Sequence, residues 1–215
     1  MRPLHANHRP SPERMDTPLI DTYLAGLRAA LPAYAQAALA TATGASRAQL
    51  DAVRRLYPQC PTTLLGLLAR INGTYWQEYA GEKIQVLMLG SDVFEYPYYL
   101  LSAEQIIEEG TRPRRSIAEI YAGYLDEYPD LVDPRIDMAL AMNLRLCFSH
   151  CMNNGGTSQL FIDFNPTATG RVGQVVRFLH DPDSYVVIAD DFDQYLQGLI
   201  DGHYAFIVDY GDEDE

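Results

Sequence analysis

After Arg177 the chain has no basic residue: its last 38 positions carry eleven acids and neither Lys nor Arg. Lysine is nearly absent throughout, with Lys83 alone beside fifteen arginines. Cysteine is sparse and odd in number, at Cys60, Cys147 and Cys151. With no apolar segment of secretory type near the N-terminus, this argues against a disulfide framework, and a reduced, cytoplasmic setting is expected. No apolar run approaches the roughly 18 residues of a membrane span. Glycine-rich stretches exist at Gly155-Gly156 and Gly170–Gly173, but neither has a nucleotide-cradle spacing or leads into a helix. Turn glycines explain them. The 29 acids against 16 bases, a net charge of −13, exclude nucleic acid and anionic membranes as natural partners, because both reward basic patches.

What remains is a soluble chain with ample apolar content. At 215 residues and 47% hydrophobic, it can bury about 70% of its unfolded surface without staples. The acidity is regional: residues 178–215 carry a net −11, while residues 1–15 carry a net +2. Residues 1–15 are rich in Pro, Arg and His without apolar period and are expected to be disordered, with Met15 an alternative start. Residues 209–215 read as a frayed acidic tail.

Helices fill the first third. Thr17-Pro18 is an N-cap followed by Pro at the first helical position, and Leu19, Ile20, Tyr23, Leu24 and Leu27 follow at helical spacing. Pro32 interrupts, and an Ala-rich helix continues over 33–42. Ser46 with Gln49 forms a capping box for a helix through Leu56, and Pro61 opens another that stops at Asn72-Gly73. The middle brings strand-length runs at 84–89 and 98–101, then helices capped by Ser102/Gln105 and Ser116/Glu119. Residues 124–142 read as a long surface loop. Four strands then follow at 144–149, 158–164, 173–180 and 185–189, joined by turns that favour consecutive antiparallel pairing. A last helix begins at Asp190 or Asp191 and ends at Gly202. The fold class is α+β: a mixed or antiparallel sheet packed against helices, with a helical N-terminal third and a closing C-terminal helix.

Several motifs invite chemistry. Cys147, His150 and Cys151 are the densest reactive set, and with His180 they form a distant metal-dependent hydrolase alternative. Structural zinc takes four ligands, however, and strand alternation sends 147 and 151 to one face and 150 to the other. No metal or cofactor is expected. His180-Asp181-Pro182-Asp183 could serve acid–base or cation chemistry, but is also an ordinary turn. Tyrosine is abundant, with fifteen copies, and Tyr and Trp anchor many protein interfaces. Trp76, Tyr79, Tyr96 and Tyr98 are the candidate lining of a groove, Trp76 standing in a loop after Asn72-Gly73. Asp181, Asp183 and Asp193 are the candidate acidic contacts, either steering a basic partner or simply keeping the chain soluble.

The string Pro61, Leu64, Leu65, Leu68, Ile71, Asn72-Gly73 resembles the opening helix of Smi/Knr-type domains of the SUKH superfamily. The order Asn153-Asn154-Gly155-Gly156, LFIDF, Gly170…Gly173, HDPD and VIADDFDQYLQGLI is similar to that family's Gly-rich hairpin, central strands and terminal helix. The resemblance covers about 46–207 and implies a single domain over 16–208 with a helical extension at 16–45. It implies a non-enzymatic protein-binding role, since the family has no shared catalytic motif. Bacterial members look like immunity proteins against polymorphic or contact-dependent toxins, often nucleases. The yeast relative is a regulator linked to cell-wall synthesis. A cognate toxin is therefore the expected partner, with a housekeeping scaffold as the alternative.

Overall fold

The computed structural model describes residues 18–153 and 155–207. The expectations for residues 1–15, Thr17, Asn154 and the 209–215 tail fall outside them. Helix α1 (Pro18–Ala30) buries Ile20, Tyr23, Leu24 and Leu27, an i, i+3, i+4, i+7 stripe. Full burial of such side chains contributes about 1.5–3 kcal/mol each. Pro32 separates α1 from α2 (Ala33–Thr41). The capping box at Ser46 and Gln49 opens α3 (Arg47–Leu56), and Pro61 precedes α4 (Thr62–Leu68). Asn72-Gly73 lies beyond the end of α4 and docks on a later helix. Asn72 Oδ1 accepts the Ala103 amide at 2.9 Å. Gly73 has φ +88, and a Cβ there would sit 2.5 Å from the Ser102 nitrogen, so only glycine fits.

A strand that sequence reasoning missed comes next. β1 (Tyr75–Tyr79) and β2 (Glu82–Gln85) form a separate antiparallel hairpin, turned by Ala80 and Gly81, both at positive φ. The apolar run at 84–89 is therefore two strands. It leaves the hairpin after Gln85 and enters the main sheet as β3 (Leu87–Leu89). Val86 is buried where the chain changes sheets, which is why apolar residues run through the break. β4 (Tyr98–Leu100) leads into α5 (Ala103–Thr111) and the one-turn α6 (Ile117–Ile120), both with complete capping boxes.

The main sheet has the order β3-β4-β5-β6-β7-β8, with β5 at Leu146–Asn153, β6 at Gly156–Asp163, β7 at Gln174–Leu179 and β8 at Ser184–Ala189. Every adjacent pair is antiparallel, as the turn chemistry indicates. Asp191 caps α7 (Phe192–Asp201), its carboxylate accepting the Gln194 amide at 2.8 Å. The α+β class is the observed one. Residues 124–142 are more than a surface loop, because Val132, Ile136 and Met142 are buried. Asp133 N–H donates to Tyr185 C=O at 2.9 Å and Arg135 to Val187 C=O at 3.2 Å, so this segment covers the outer edge of β8.

Candidate functional site

Adjacent residues on β5 define two faces of the sheet. Phe148 meets the Phe192 and Tyr195 rings of α7 edge-on, with centroids 5.3 and 5.8 Å away. Cys147 and His150 face α5 and its Glu109 instead. The same division recurs on β7, where Arg177 binds Asp92 on the α7 side and Phe178 lies towards His150 and Arg114.

On the α7 face, a groove of about 450 Å³ runs between α7 and β8. Its walls include Phe94, Val186, Ile188, Leu199 and Phe206. Phe94 is 55% exposed, a large ring held at the mouth of an apolar trough. Asp92 lies at the rim, fixed by a two-pronged ion pair from the buried Arg177 at 2.5 and 2.9 Å. Asp193 and Asp201 are exposed on the same helix that forms the wall. Gly198 leaves the middle of that wall bare, since a Cβ there would meet nothing within 4 Å.

A second groove, about 350 Å³, lies between α2, the β2–β3 crossing and β4. Tyr34, Pro97 and Tyr99 line it, Tyr34 being 77% exposed. Sequence reasoning missed Tyr34 and Tyr99. The available signals were a lone bulky residue on an Ala-rich helix and the alternation of β4, which turns Tyr99 outward if Tyr98 turns inward.

The four aromatic candidates do not assemble into one lining. Tyr98 is completely buried, and Tyr79 is buried with its hydroxyl donating to Gly73 C=O at 2.9 Å. Both are core residues, and burial pushes both phenols up in pKa. Tyr96 is half-buried against the core. Trp76 is 55% exposed, but stands inside β1 and not in a loop. Its φ of +54 and the register shift between Tyr75 and Gln77 mark a bulge that re-aims the ring. Its neighbour Tyr75 packs at a tilt against Tyr99 and meets His150 edge-on, both at 5.4 Å.

The acidic candidates separate as well. Asp181 is exposed in the β7–β8 turn. Asp183 is tied down: it accepts from the Tyr121 hydroxyl and lies 3.3 Å from His180 Nδ1. Asp193 is exposed in the first turn of α7. β8 lies between the two groups, and its six residues put them about 20 Å apart. The acidic C-terminal third is thus two surfaces, and the one with an apolar groove beside it belongs to α7.

Strand alternation also misplaced the reactive cluster. β5 has a register shift between Cys147 and Ser149, and the extra residue brings Cys147 and His150 to the same face. The ligand atoms of Glu109, Cys147 and His150 lie within 4.8 Å of one another. Gln159 Nε2 sits among them, 2.8 Å from His150 Nε2 and 3.5 Å from Cys147 Sγ. Its Oε1 accepts from Arg114 at 3.1 Å, which fixes the amide with nitrogen towards those two atoms. Their lone pairs are therefore already engaged, and a guanidinium stands beside them, an arrangement poorly suited to a cation. Burial raises the Cys147 thiol and lowers the His150 imidazole, keeping both neutral and the thiol a weak nucleophile. Cys60 and Cys151 are also free and buried.

These features define a helix-flanked antiparallel α+β domain with grooves on its surface. The model of the SMI1 / KNR4 family (SUKH-1) matches residues 44–198, and the chain belongs to that family. Membership is consistent with an immunity-protein-like, protein-interacting domain. Among curated proteins, no match to the chain was found. No helix among the described residues is long and apolar enough to cross a membrane.

Proposed function

We propose that this protein is a cytoplasmic, non-enzymatic immunity protein that neutralises a bacterial polymorphic or contact-dependent toxin, of nuclease type, by occlusion. The observation that carries this reading is the α7–β8 groove: an apolar trough with Phe94 at its mouth and exposed acids on the helix beside it. Apolar anchors supply affinity, while a rim of one charge steers a partner of the opposite charge. A nuclease that attracts phosphate presents the basic surface this rim complements. Asp193 and Asp201 provide the charge, whereas Asp183 is committed to its own turn.

The test is co-expression and pull-down with the toxin encoded beside this gene. Gly198→Trp fills the groove from an open position and Asp193→Lys reverses a charge on the helix beside it, both without touching the core. Each should leave the melting temperature nearly unchanged and weaken toxin binding, Gly198→Trp by about 2 kcal/mol or more as at an interface hot spot. Asp193→Lys should act mainly on the association rate at low salt. Full protection by both variants would move the interface elsewhere, and absence of any neighbouring toxin would favour a scaffold with an endogenous partner.

A further inference from the structure

Among the described residues, three closely spaced arginines line a cavity on the face opposite α7. Arg112, Arg114 and Arg115 follow the end of α5 and enclose, with His150, Thr157 and Gln159, a concavity of about 520 Å³. We propose that it is an oxyanion-binding site for a phosphomonoester.

Three features support this. First, Arg114 is half-buried and pre-oriented, held by Glu109 Oε2 at 3.0 Å and Gln159 Oε1 at 3.1 Å. A fixed guanidinium loses little freedom when it binds an anion. Second, the Arg112 and Arg115 side chains have no hydrogen-bond or ion-pair partner among the described residues. Glu119, the acid that feels the charge of Arg115, turns its carboxylate to the Ser116 amide at 2.8 Å and hydroxyl at 3.0 Å. Two uncommitted forks and one fixed fork offer more N–H groups than a single carboxylate can accept. A dianionic group with three accepting oxygens matches them better. Third, the floor already holds an anion of the protein's own. Glu109 Oε2 pairs with Arg114 at 3.0 Å and marks where negative charge is stabilised. The volume exceeds a phosphate group, and Pro113, Ile120 and Phe178 form an apolar wall for the organic part.

The site is independent of the α7–β8 groove, so failure of either leaves the other standing. The full-length protein should be titrated calorimetrically, in chloride buffer, with inorganic phosphate, AMP and a phosphoserine peptide. All three should bind. Arg112→Ala/Arg115→Ala should lower affinity tenfold or more, since each removed fork makes charge-assisted bonds. Both side chains are exposed, so the double variant should fold normally, as unchanged circular dichroism would verify. Glu109→Gln should raise affinity several-fold by removing the competing carboxylate. Arg54→Ala/Arg55→Ala, exposed on α3, should change nothing. Tighter binding of AMP than of phosphate identifies a free nucleotide-like ligand, and tighter binding of the peptide identifies a phosphorylated side chain. No binding of any probe, or binding indifferent to loss of Arg112 and Arg115, overturns the proposal.

Discussion

Asp163→Asn strikes the most deeply buried charge pair of the described fold. Arg145 and Asp163 both have fully buried side chains, with Nε 3.5 Å from Oδ2. The guanidinium also donates to Asp137 C=O at 2.6 Å and Leu140 C=O at 3.3 Å, pinning the 124–142 segment to the sheet. The carboxylate accepts the Asn165 amide at 3.0 Å and the Gln174 amide group at 3.3 Å. Coulomb attraction at this separation is about 5 kcal/mol at an effective dielectric near 20, and desolvation of both ions offsets much of it. Removing only the carboxylate charge leaves Arg145 buried and uncompensated, which costs about 3–5 kcal/mol. For a chain of this length, that lowers the melting temperature by about 6–20 °C. Removing both charges in Arg145→Met/Asp163→Leu should cost at least about 2 kcal/mol less than the two single changes summed. It should not restore parental stability, because two loop carbonyls lose their donor. Urea unfolding followed by circular dichroism measures all four corners of the cycle. If Asp163→Asn costs under about 1 kcal/mol, or the single costs add within about 0.5 kcal/mol, the pair is not the coupled unit described here.

Glu104 joins α3, the Asn72-Gly73 turn and α5, accepting from the side chains of Gln49 and Asn72. Burial alone would raise its carboxyl, but hydrogen bonds from its own amide, Gln49, Asn72 and Ser102 outweigh this and hold the pKa below the usual value. A depressed folded-state pKa means that its stabilisation is present above the unfolded-state value and is lost as pH falls through the folded one. Denaturation midpoints should therefore drop on acidification below about pH 4.5, and Glu104→Gln should flatten that part of the profile; an unaltered profile would contradict the assignment. The thiols give a second readout, since burial pushes Cys60 up to about 12 and Cys151 up to about 11 and also raises Cys147. Alkylation at pH 8 should be about two orders of magnitude slower in the native protein than in urea. One cysteine reacting at the free-thiol rate would refute the burial described for it.

Local chemistry made much of the fold readable. Three Ser-x-x-Gln/Glu boxes, the Pro32 break and the spacing of Ile20, Tyr23, Leu24 and Leu27 are signals that act within one helical turn, and the helices form where they point. The four late strands were legible because β-branched and aromatic runs alternate with turn residues. β1 was not, because Tyr75-Trp76-Gln77-Glu78-Tyr79 has no buried face except at Tyr79. It is held by its hairpin partner rather than by a core-facing stripe. The split of 84–89 was equally hidden, since Ile84, Val86, Met88 and Leu89 are buried on both sides of the crossing and hydrophobicity alone carries no mark of it.

The groups that carry chemistry were readable as residues but not as a site. Alternation assigned Cys147 and Cys151 to one face of β5 and His150 to the other, and it holds only while each residue has a single cross-strand partner. Cys147 pairs with Phe161 and Ser149 with Leu160, so one extra residue enters β5 and inverts the assignment beyond it. That shift depends on β6, a strand with no local influence on β5 in the sequence. Its consequence is that His150 reaches Gln159, Gln159 reaches Arg114, and Arg114 stands beside two other arginines. His150, which looked like part of a metal knuckle, thereby joins Gln159 and Glu109 in the hydrogen-bonded floor of a basic cavity, on a chain whose total charge argues against binding anions. Net charge governs long-range encounter, whereas a few fixed donors inside a concave wall govern local recognition, and the two need not share a sign.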